Sequence, residues 1–412
     1  PTRRSSERLG RASRHDTLVA IVGGGLAGSL AAAMLGRDGV DVVFIDPNKQ
    51  YPAEFRCEKL DGDQMAILRR TGLADAVLIN STHDREAWVA RYGRIVEKRP
   101  GEQQGIFYAS LVNTVRAEIP TNVRHIEAKA TGITTSVDRQ TVTLSNGEEV
   151  RARLVILANG LSLSLRDALK LGRETVSKCH SISIGFNMKP LGREAFPFPA
   201  LTYYSETPAN RAALITMFPI GEAMRANLFV YRDMDDPWLK AFRTAPKETL
   251  LAMMPSLAGL AGDFAVDGFV QIRPVDLYVS TGHEQDGIVL VGDAFATSCP
   301  AAGTGARKAL NDVERLVNVH IPRWLATPGM GSAKIAEFYH DPVKRAGDEA
   351  SLAKAYDLRS FSVDPSWRWR MKRRVKFFGH LAIGALHARY RTIMAARGNG
   401  HGVPAMTGTQ RP

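Results

Sequence analysis

The sequence predicts an α/β protein with a parallel sheet, a second sheet that is antiparallel, and helices at the carboxyl end. The first observation is the run from Leu18 to Asp46, in which an apolar stretch, a glycine turn, a helical stretch and a second apolar stretch follow one another. The second is a pair of later apolar runs, Arg153–Ala158 and Gly287–Val291, which are typical of buried parallel strands. The third is Ser181–Arg273, where consecutive strand-like runs joined by short turns indicate an antiparallel sheet.

Composition limits the class of protein. Of the 412 residues, 44% are hydrophobic and 23% are charged, as in ordinary globular proteins with one or two domains. No apolar run approaches the ~20 residues of a membrane-spanning helix, and residues 1–16 lack the apolar core of a secretory signal. The three cysteines are too few and too far apart for a disulfide framework or a metal site. We expect a cytoplasmic protein without a metal ion.

The net charge of +12 belongs to the two ends of the chain. Residues 1–16 carry five arginines against two acids, and residues 366–412 carry ten lysines or arginines and no acid. A basic end can contact nucleic acid, an anionic membrane or an acidic partner, although a solvated tail is the commoner case. We expect no nucleic-acid partner.

The first glycine turn has the Gly-x-Gly-x-x-Gly spacing of Rossmann-like dinucleotide-binding units. The first glycine permits the tight turn, the second lets backbone N–H groups approach a pyrophosphate, and the third lets the helix lie close to the strand. The helix N-terminus adds a positive dipole end, and an acid at the end of the second strand is placed to bind a ribose. The nucleotide-binding residues predicted here are Gly23, Gly25, Leu26, Ala27, Gly28 and Asp46.

The elements after Asp46 follow from local patterns. The loop Tyr51–Arg56 should pass near the nucleotide because it follows the strand that carries Asp46. Helices are predicted for Glu58–Arg70, which ends at a Thr-Gly pair, and for Ala109–Ile119, which ends before a proline. Thr131–Val150 alternates apolar and polar residues around a Ser-Asn-Gly turn and predicts an antiparallel crossover laid on the main sheet. Shorter strand-like runs are Ala87–Val96, Gly105–Tyr108 and Val123–Ile126.

The antiparallel sheet is predicted to cover a binding pocket, because small-molecule sites favour interfaces between domains. Its clearest hairpin turn is Pro219–Glu222. The predicted strands are Ser181–Met188, Leu201–Ser205, Ala212–Phe218 and Ala226–Tyr231. The candidate substrate-binding residues are Tyr203, Met217, Phe218 and Arg225.

The carboxyl-terminal part predicts helices. Ala333–Tyr339 and Ala346–Ala355 have helical patterns, and Trp367–Phe378 mixes aromatic residues with cations. This last stretch could lie on a membrane surface or cover the binding pocket, but we favour a basic helix packed on the body. The predicted domains are disordered ends at 1–16 and 398–412, a discontinuous nucleotide-binding domain at 17–80, 101–180 and 286–330, a substrate-binding domain at 81–100 and 181–285, and a helical region at 331–397.

Two further motifs follow strands: Gly292-Asp293, and Pro300-x-x-Gly303-x-Gly305 before a helical run at Ala306–Val317. With the first glycine turn, they resemble the FAD-dependent aromatic hydroxylases, the single-component flavoprotein monooxygenases of the p-hydroxybenzoate hydroxylase type, over about residues 17–320. The resemblance implies that the first turn holds the FAD pyrophosphate, that the Gly-Asp acid binds the ribityl chain, and that the proline turn faces the flavin ring. The residues it adds to the cofactor site are Arg56, Gly292, Asp293, Pro300, Gly303, Thr304 and Gly305.

The sequence departs from that family at three positions. Its Ala-Asp-Gly motif is here Ala158-Asn159-Gly160, which weakens the inference that NADPH reduces the flavin directly. Tyr108 stands where an arginine usually opens a helix, and Arg307 stands near a position usually taken by asparagine.

The resemblance implies a reaction in which reduced FAD and O2 form a flavin C4a-hydroperoxide that attacks an electron-rich, aromatic or related small molecule. NADPH, NADH or a partner reductase supplies the electrons, and no side-chain acid or base is assigned. Two alternatives stay open: another flavoenzyme on this fold, either a prenyl-chain reductase or a halogenase, and a non-catalytic nucleotide-binding protein with a basic tail. The sequence does not predict the oligomeric state.

Overall fold

The computed structural model of the protein describes residues 14–379 together with 381 and 382. The disordered tail expected at 398–412 lies outside the described residues. So do residues 1–13 of the disordered end expected at 1–16 and the part of the expected helical region beyond residue 382. Among the described residues no helix is both long and apolar enough to cross a bilayer.

The strands fall into two large sheets and one small one. In chain order they are β1 (Arg14–Val22), β2 (Val42–Ile45), β3 (Lys59–Leu60), β4 (Thr82–His83), β5 (Glu86–Arg91), β6 (Arg94–Pro100), β7 (Gln104–Gly105), β8 (Arg124–Ile126), β9 (Ala130–Thr134), β10 (Gln140–Leu144), β11 (Glu149–Leu157), β12 (Gly172–Pro190), β13 (Ala200–Tyr204), β14 (Ala212–Ile220), β15 (Ala223–Val230), β16 (Phe264–Thr281) and β17 (Ile288–Leu290).

The helices pack against the first large sheet, flank the second, and form the carboxyl-terminal part. In chain order they are α1 (Leu26–Arg37), α2 (Gly62–Arg70), α3 (Ala74–Ile79), α4 (Tyr108–Ala117), α5 (Pro237–Thr244), α6 (Pro246–Met253), α7 (Ala258–Ala261), α8 (Gly305–Arg315), α9 (Ile321–Leu325), α10 (Ser332–Tyr339), α11 (Pro342–Val363) and α12 (367–379).

The first sheet has the order β8-β2-β1-β11-β10-β9, and β17 pairs with the second half of β11. The strands β8, β2, β1, β11 and β17 are parallel, as their apolar runs predict. Strand β10 pairs antiparallel with the first half of β11, and β9 pairs antiparallel with the far side of β10. The crossover predicted at Thr131–Val150 therefore extends the edge of this sheet instead of lying on it.

The second sheet has the order β16-β12-β15-β14-β13-β5-β6 and is antiparallel except for the pair β13 and β5. Its apolar core is separate from that of the first sheet. Its strands β12 and β16 run side by side as a long ribbon that starts where Gly172 pairs with Thr281. Residues 172–180, which the sequence assigns to the nucleotide-binding domain, thus belong to this ribbon.

Three local expectations change in the structure. The helix expected at Glu58–Arg70 begins only at Gly62, because Asp61 and Gln64 form a reciprocal capping box there. The strand expected at Ala87–Val96 is a hairpin that turns at Tyr92 and Gly93. The run expected as a strand at Gly105–Tyr108 leaves the sheet after Gly105, and Tyr108 opens α4.

Candidate active site

A large cleft of about 960 Å³ lies between the first sheet and the second. Its walls come from both sides: the glycine turn after β1, the loop after β2, the ends of β11 and β17, and one face of the second sheet. Of the sequence-predicted cofactor residues, those that line this cleft are Gly23, Gly25, Leu26, Ala27, Asp46, Arg56, Gly292, Asp293, Pro300, Gly303 and Gly305.

The glycine turn is packed so tightly at its first and third glycines that a side chain is excluded at both positions. Gly23 has a φ of +104°, and a Cβ there would lie 2.6 Å from the carbonyl oxygen of Ala158. A Cβ on Gly28 would overlap the carbonyl oxygen of Gly23, so Gly28 acts by close packing and does not itself line the cleft. No side chain caps α1 at Gly25. The turn therefore directs the N-terminus of α1 into the cleft, which suits a phosphate.

Asp46 is fixed beside this turn. Its Oδ2 accepts a hydrogen bond from the Gly24 N–H at 2.7 Å, and its Oδ1 accepts one from the Asn48 N–H at 3.0 Å. Arg116 of α4 lies 3.0 Å from the same carboxylate and also donates to the Gly24 carbonyl. Sequence reasoning missed Arg116, because nothing in the local pattern of α4 relates it to a turn 92 residues earlier.

Tyr108 replaces the expected arginine with a neutral hydroxyl. Its Oη lies 3.4 Å from the backbone nitrogen of Leu26 at the start of α1 and lines the cleft. Burial raises the pKa of Tyr108 to about 12, although the nearby Arg56 charge opposes the shift. The hydroxyl thus stays protonated and can donate a hydrogen bond to an anion at this helix end.

Arg56 links two walls of the cleft. Its Nη1 donates to Asp293 Oδ2 at 2.5 Å, and its Nε lies 2.8 Å from Glu54 Oε1. The same Glu54 oxygen accepts a hydrogen bond from Arg273 on β16 at 2.8 Å. Burial would lower the pKa of the Arg56 guanidinium, but Asp293, Tyr108 and Glu54 together outweigh it and hold that pKa above its ordinary value. Arg56 therefore stays charged and fixes Asp293 at the cleft.

The proline turn leads into α8. Pro300–Ala302 form a short 3-10 turn, Gly303 follows at a φ of +68°, and α8 begins at Gly305. The Gln64 amide of α2 donates to the Gly303 carbonyl at 3.2 Å. Thr304 corrects the sequence prediction: it is buried away from the cleft, and its hydroxyl accepts a hydrogen bond from Ser351 at 2.7 Å.

The second sheet forms the opposite wall with alternate residues. The lining residues on β13, β14 and β15 are Thr202, Tyr204, Leu214, Thr216, Phe218, Asn227 and Phe229. Tyr203 and Met217, both predicted to line the pocket, point into the core on the other face of the sheet. Tyr203 accepts a hydrogen bond from the Gly93 N–H and donates one to Glu206. Because side chains alternate along a strand, a choice shifted by one residue selects the wrong face.

Arg225, the last of the predicted substrate residues, forms a buried ion pair and does not line the cleft. Its Nε lies 2.7 Å from Glu58 Oε2 and its Nη2 lies 3.0 Å from Glu58 Oε1. Arg225 also donates to Gln271 at 2.7 Å and to Asn187 at 3.2 Å. Glu58, and not Arg225, reaches the cleft. Burial raises the pKa of Glu58 even though Arg225 opposes the shift.

Further polar groups on the wall were not predicted from the sequence. The Ser183 hydroxyl and Asn227 Oδ1 are buried, line the cleft, and have no hydrogen-bond partner among the described residues. The Lys59 ammonium lies 5.2 Å from the centre of the Phe218 ring, and burial lowers its pKa to about 8. The wall thus combines aromatic surface with hydrogen-bonding atoms. No cluster of metal-ligating side chains occurs in the described part of the chain.

Comparison with known proteins agrees with this geometry. The model of a family described as FAD binding domain matches residues 16–321. The 3-demethoxyubiquinol 3-hydroxylase of Escherichia coli is 25% identical over 367 residues, which cover 83% of this chain and 88% of that protein. Rat squalene monooxygenase is 24% identical over 331 residues, and the match covers 73% of this chain but 54% of that protein. The crystal structure of p-nitrophenol 4-monooxygenase from Pseudomonas putida has a TM-score of 0.69 at 17% identity and covers 89% of this chain and 93% of that one.

Proposed function

The chain belongs to the family with this FAD-binding domain, and we propose that this FAD-dependent monooxygenase hydroxylates an electron-rich small molecule, aromatic or related, with O2. The observation that carries the proposal is the large cleft between the two sheets. One wall holds the three loops expected to bind a flavin nucleotide, and the other is an aromatic and polar sheet face suited to a small organic molecule. The relatives named as hydroxylases and monooxygenases support the same reaction class.

The residues of the first wall fit FAD. A Cβ on Gly25 would approach other protein atoms no closer than 3.8 Å, so the turn leaves open space there for a pyrophosphate. Asp46 is fixed at the ribose end, and Arg56 holds Asp293 in place on the same wall. When bound, FAD supplies the redox chemistry and the activation of O2. The chain's own part is to orient the two molecules and to exclude water.

The second wall orients the substrate. Phe218, Phe229 and Leu214 contribute apolar contact, while Ser183 and Asn227 offer the buried hydrogen-bonding atoms that still lack a partner. A ligand with an apolar body and at least one hydroxyl or amine would satisfy both kinds of surface. The relatives point the same way, since ubiquinol, named for the bacterial relative, is an apolar molecule with a phenolic ring.

In this proposal, Lys59 exchanges a proton with a phenolic substrate. Because burial lowers its pKa to about 8, a fraction of the Nζ amine is neutral near pH 7 and can accept a proton from a phenol. Glu58 beside it is held by Arg225 and helps fix this part of the wall.

The source of electrons is NADPH or NADH in this proposal. Asn159 lines the cleft where the related hydroxylases have an acid, so a partner reductase is the alternative to be tested. A cytoplasmic location is part of this proposal, and the three free thiols support a reducing compartment.

The test is a turnover screen on the purified yellow protein. NADPH and NADH oxidation and O2 uptake are measured with a panel of phenols, amines, heterocycles and quinols, and the product is analysed after reaction under 18O2. We expect a substrate that stimulates both rates and a product that carries one 18O atom. A colourless protein, or a product reduced or halogenated without 18O, would refute the proposal. Stimulation only after addition of a flavin reductase would retain hydroxylation but reject direct reduction.

A further inference from the structure

The carboxyl-terminal helix α12 is held on the body by one face. The Arg373 guanidinium donates to the Phe361 and Asp364 carbonyls, both at 2.8 Å. The Phe377 ring lies 5.3 Å from the Tyr92 ring at the tip of the β5–β6 hairpin. These contacts give α12 a defined orientation, so its opposite face is also defined.

That opposite face is an apolar stripe in contact with solvent. It consists of Trp367, Met371, Val375 and Phe378, whose exposures lie between 51% and 66%. At 3.6 residues per turn, positions 367, 371, 375 and 378 fall within an arc of about 80°, opposite the face that holds Arg373. We call these four residues the outer stripe of α12. Four large apolar side chains side by side at such exposure form a patch that indicates a binding surface.

Cations border the outer stripe on both sides. On the same helical projection Arg370 and Arg374 lie along one edge, and Arg368 and Lys372 lie along the other. Lys372 is paired with Asp357 at 2.7 Å, whereas Arg368, Arg370 and Arg374 form no ion pair with the described carboxylates. Residues 366–412 contain ten lysines or arginines and no acid. The surface therefore complements an anionic partner that also accepts apolar side chains.

We propose that the outer stripe of α12 docks in the plane of an anionic lipid bilayer. The apolar side chains would enter the boundary between headgroups and acyl chains, and the flanking arginines would contact the headgroup phosphates. A second copy of the chain fits less well, because a symmetric contact through this face would bring arginine rows of the same sign together. A nucleic acid would satisfy the arginines but would leave the stripe in water.

The position of α12 places the docked surface beside the cleft. Lys376 of α12 and Leu358 and Phe361 of α11 line the cleft, and the Lys376 ammonium lies 5.1 Å from the centre of the Phe361 ring. Docking would therefore hold one rim of the cleft at the bilayer surface. This inference does not depend on the reaction proposed above, since it rests on the outer face of α12 alone.

The test is binding of the full, flavin-loaded chain to sedimented vesicles. We expect binding to vesicles of phosphatidylcholine with phosphatidylglycerol, weaker binding at high salt, and little binding to pure phosphatidylcholine. The double variant W367S/F378S should lose about tenfold in partition coefficient for each aromatic residue removed. The triple variant R368Q/R370Q/R374Q should lose on the order of a hundredfold, since each cation near an anionic surface contributes roughly fivefold. The matched control is F269S, which removes a 92% exposed aromatic side chain from β16 and should bind like the parent.

A second measurement does not require loss of binding in a variant. Trp367 fluorescence should be quenched by brominated acyl chains in the parent protein, and the quenched component should disappear in W367F. Equal binding to neutral and anionic vesicles, unchanged binding in both stripe variants, or no bromine quenching would overturn the proposal. So would concentration-dependent self-association in sedimentation velocity without lipid that the double variant abolishes, because the occupant would then be a second copy.

Discussion

The sharpest prediction concerns the buried ion pair between Glu58 and Arg225, which joins the loop before α2 to strand β15 of the second sheet. The side chains are 3% and 5% exposed, and both guanidinium–carboxylate contacts lie at hydrogen-bond distance. Substitution R225M would remove the guanidinium but leave Glu58 buried. Because removal of one partner leaves the other charge buried and unpaired, we expect a loss of about 3–5 kcal/mol in the free energy of unfolding.

The assay is urea unfolding of the flavin-free protein at pH 7, followed by tryptophan fluorescence. The matched control is K189M, which removes an ion pair with Asp267 that is 67% and 48% exposed and should cost less than about 1 kcal/mol. The double variant E58L/R225M should recover most of the loss, since a hydrophobic replacement of both partners removes the stranded charge. A loss below about 1 kcal/mol for R225M, or a double variant that sums both single losses, would refute this reasoning.

Three further predictions follow from single contacts. G28A should weaken FAD binding at least tenfold in a fluorescence titration, because its Cβ would overlap the Gly23 carbonyl oxygen, while G347A at an exposed position of α11 should leave binding unchanged. Although burial opposes it, hydrogen bonding from Arg315 lowers the pKa of Asp341 to about 2; D341N should therefore cost about 2 kcal/mol at pH 7, and the difference should shrink as the pH falls below about 5 and vanish near pH ~1. S183A should raise KM for the substrate about tenfold with little change in kcat, as expected for one lost hydrogen bond; an unchanged KM would place Ser183 outside the substrate site.

The fold class and the family were predictable because their evidence is local in the sequence. Strand, glycine turn and helix follow one another between Leu18 and Leu35, and apolar runs mark the parallel strands; the observed sheet and the family match confirm both predictions and FAD as the cofactor. The cofactor residues remain predictions, although the structure brings most of them to one cleft.

The site residues that were not predicted depend on contacts between distant parts of the sequence, or on which face of a strand a residue occupies. Arg116 meets Asp46 across 70 positions of sequence, and Glu58 meets Arg225 across 167. No local periodicity encodes such pairs. Strand β14 has apolar residues on both faces, so the pattern did not show that Met217 faces the core while Phe218 faces the cleft. Which residues of such a strand face the core is set by the elements that pack on each side of the sheet.

The cleft and the outer stripe of α12 rest on different side chains and can be separated by experiment. Substitutions in the outer stripe change solvent-exposed positions, so flavin content and turnover of a water-soluble substrate should stay at the parent level while vesicle binding falls. Substitution R225M acts inside the body, and α12 keeps its contacts with Phe361 and Tyr92, so the folded variant should still bind vesicles. If a stripe variant lost flavin, α12 would be a structural support of the cleft, and its exposed apolar face would need another explanation.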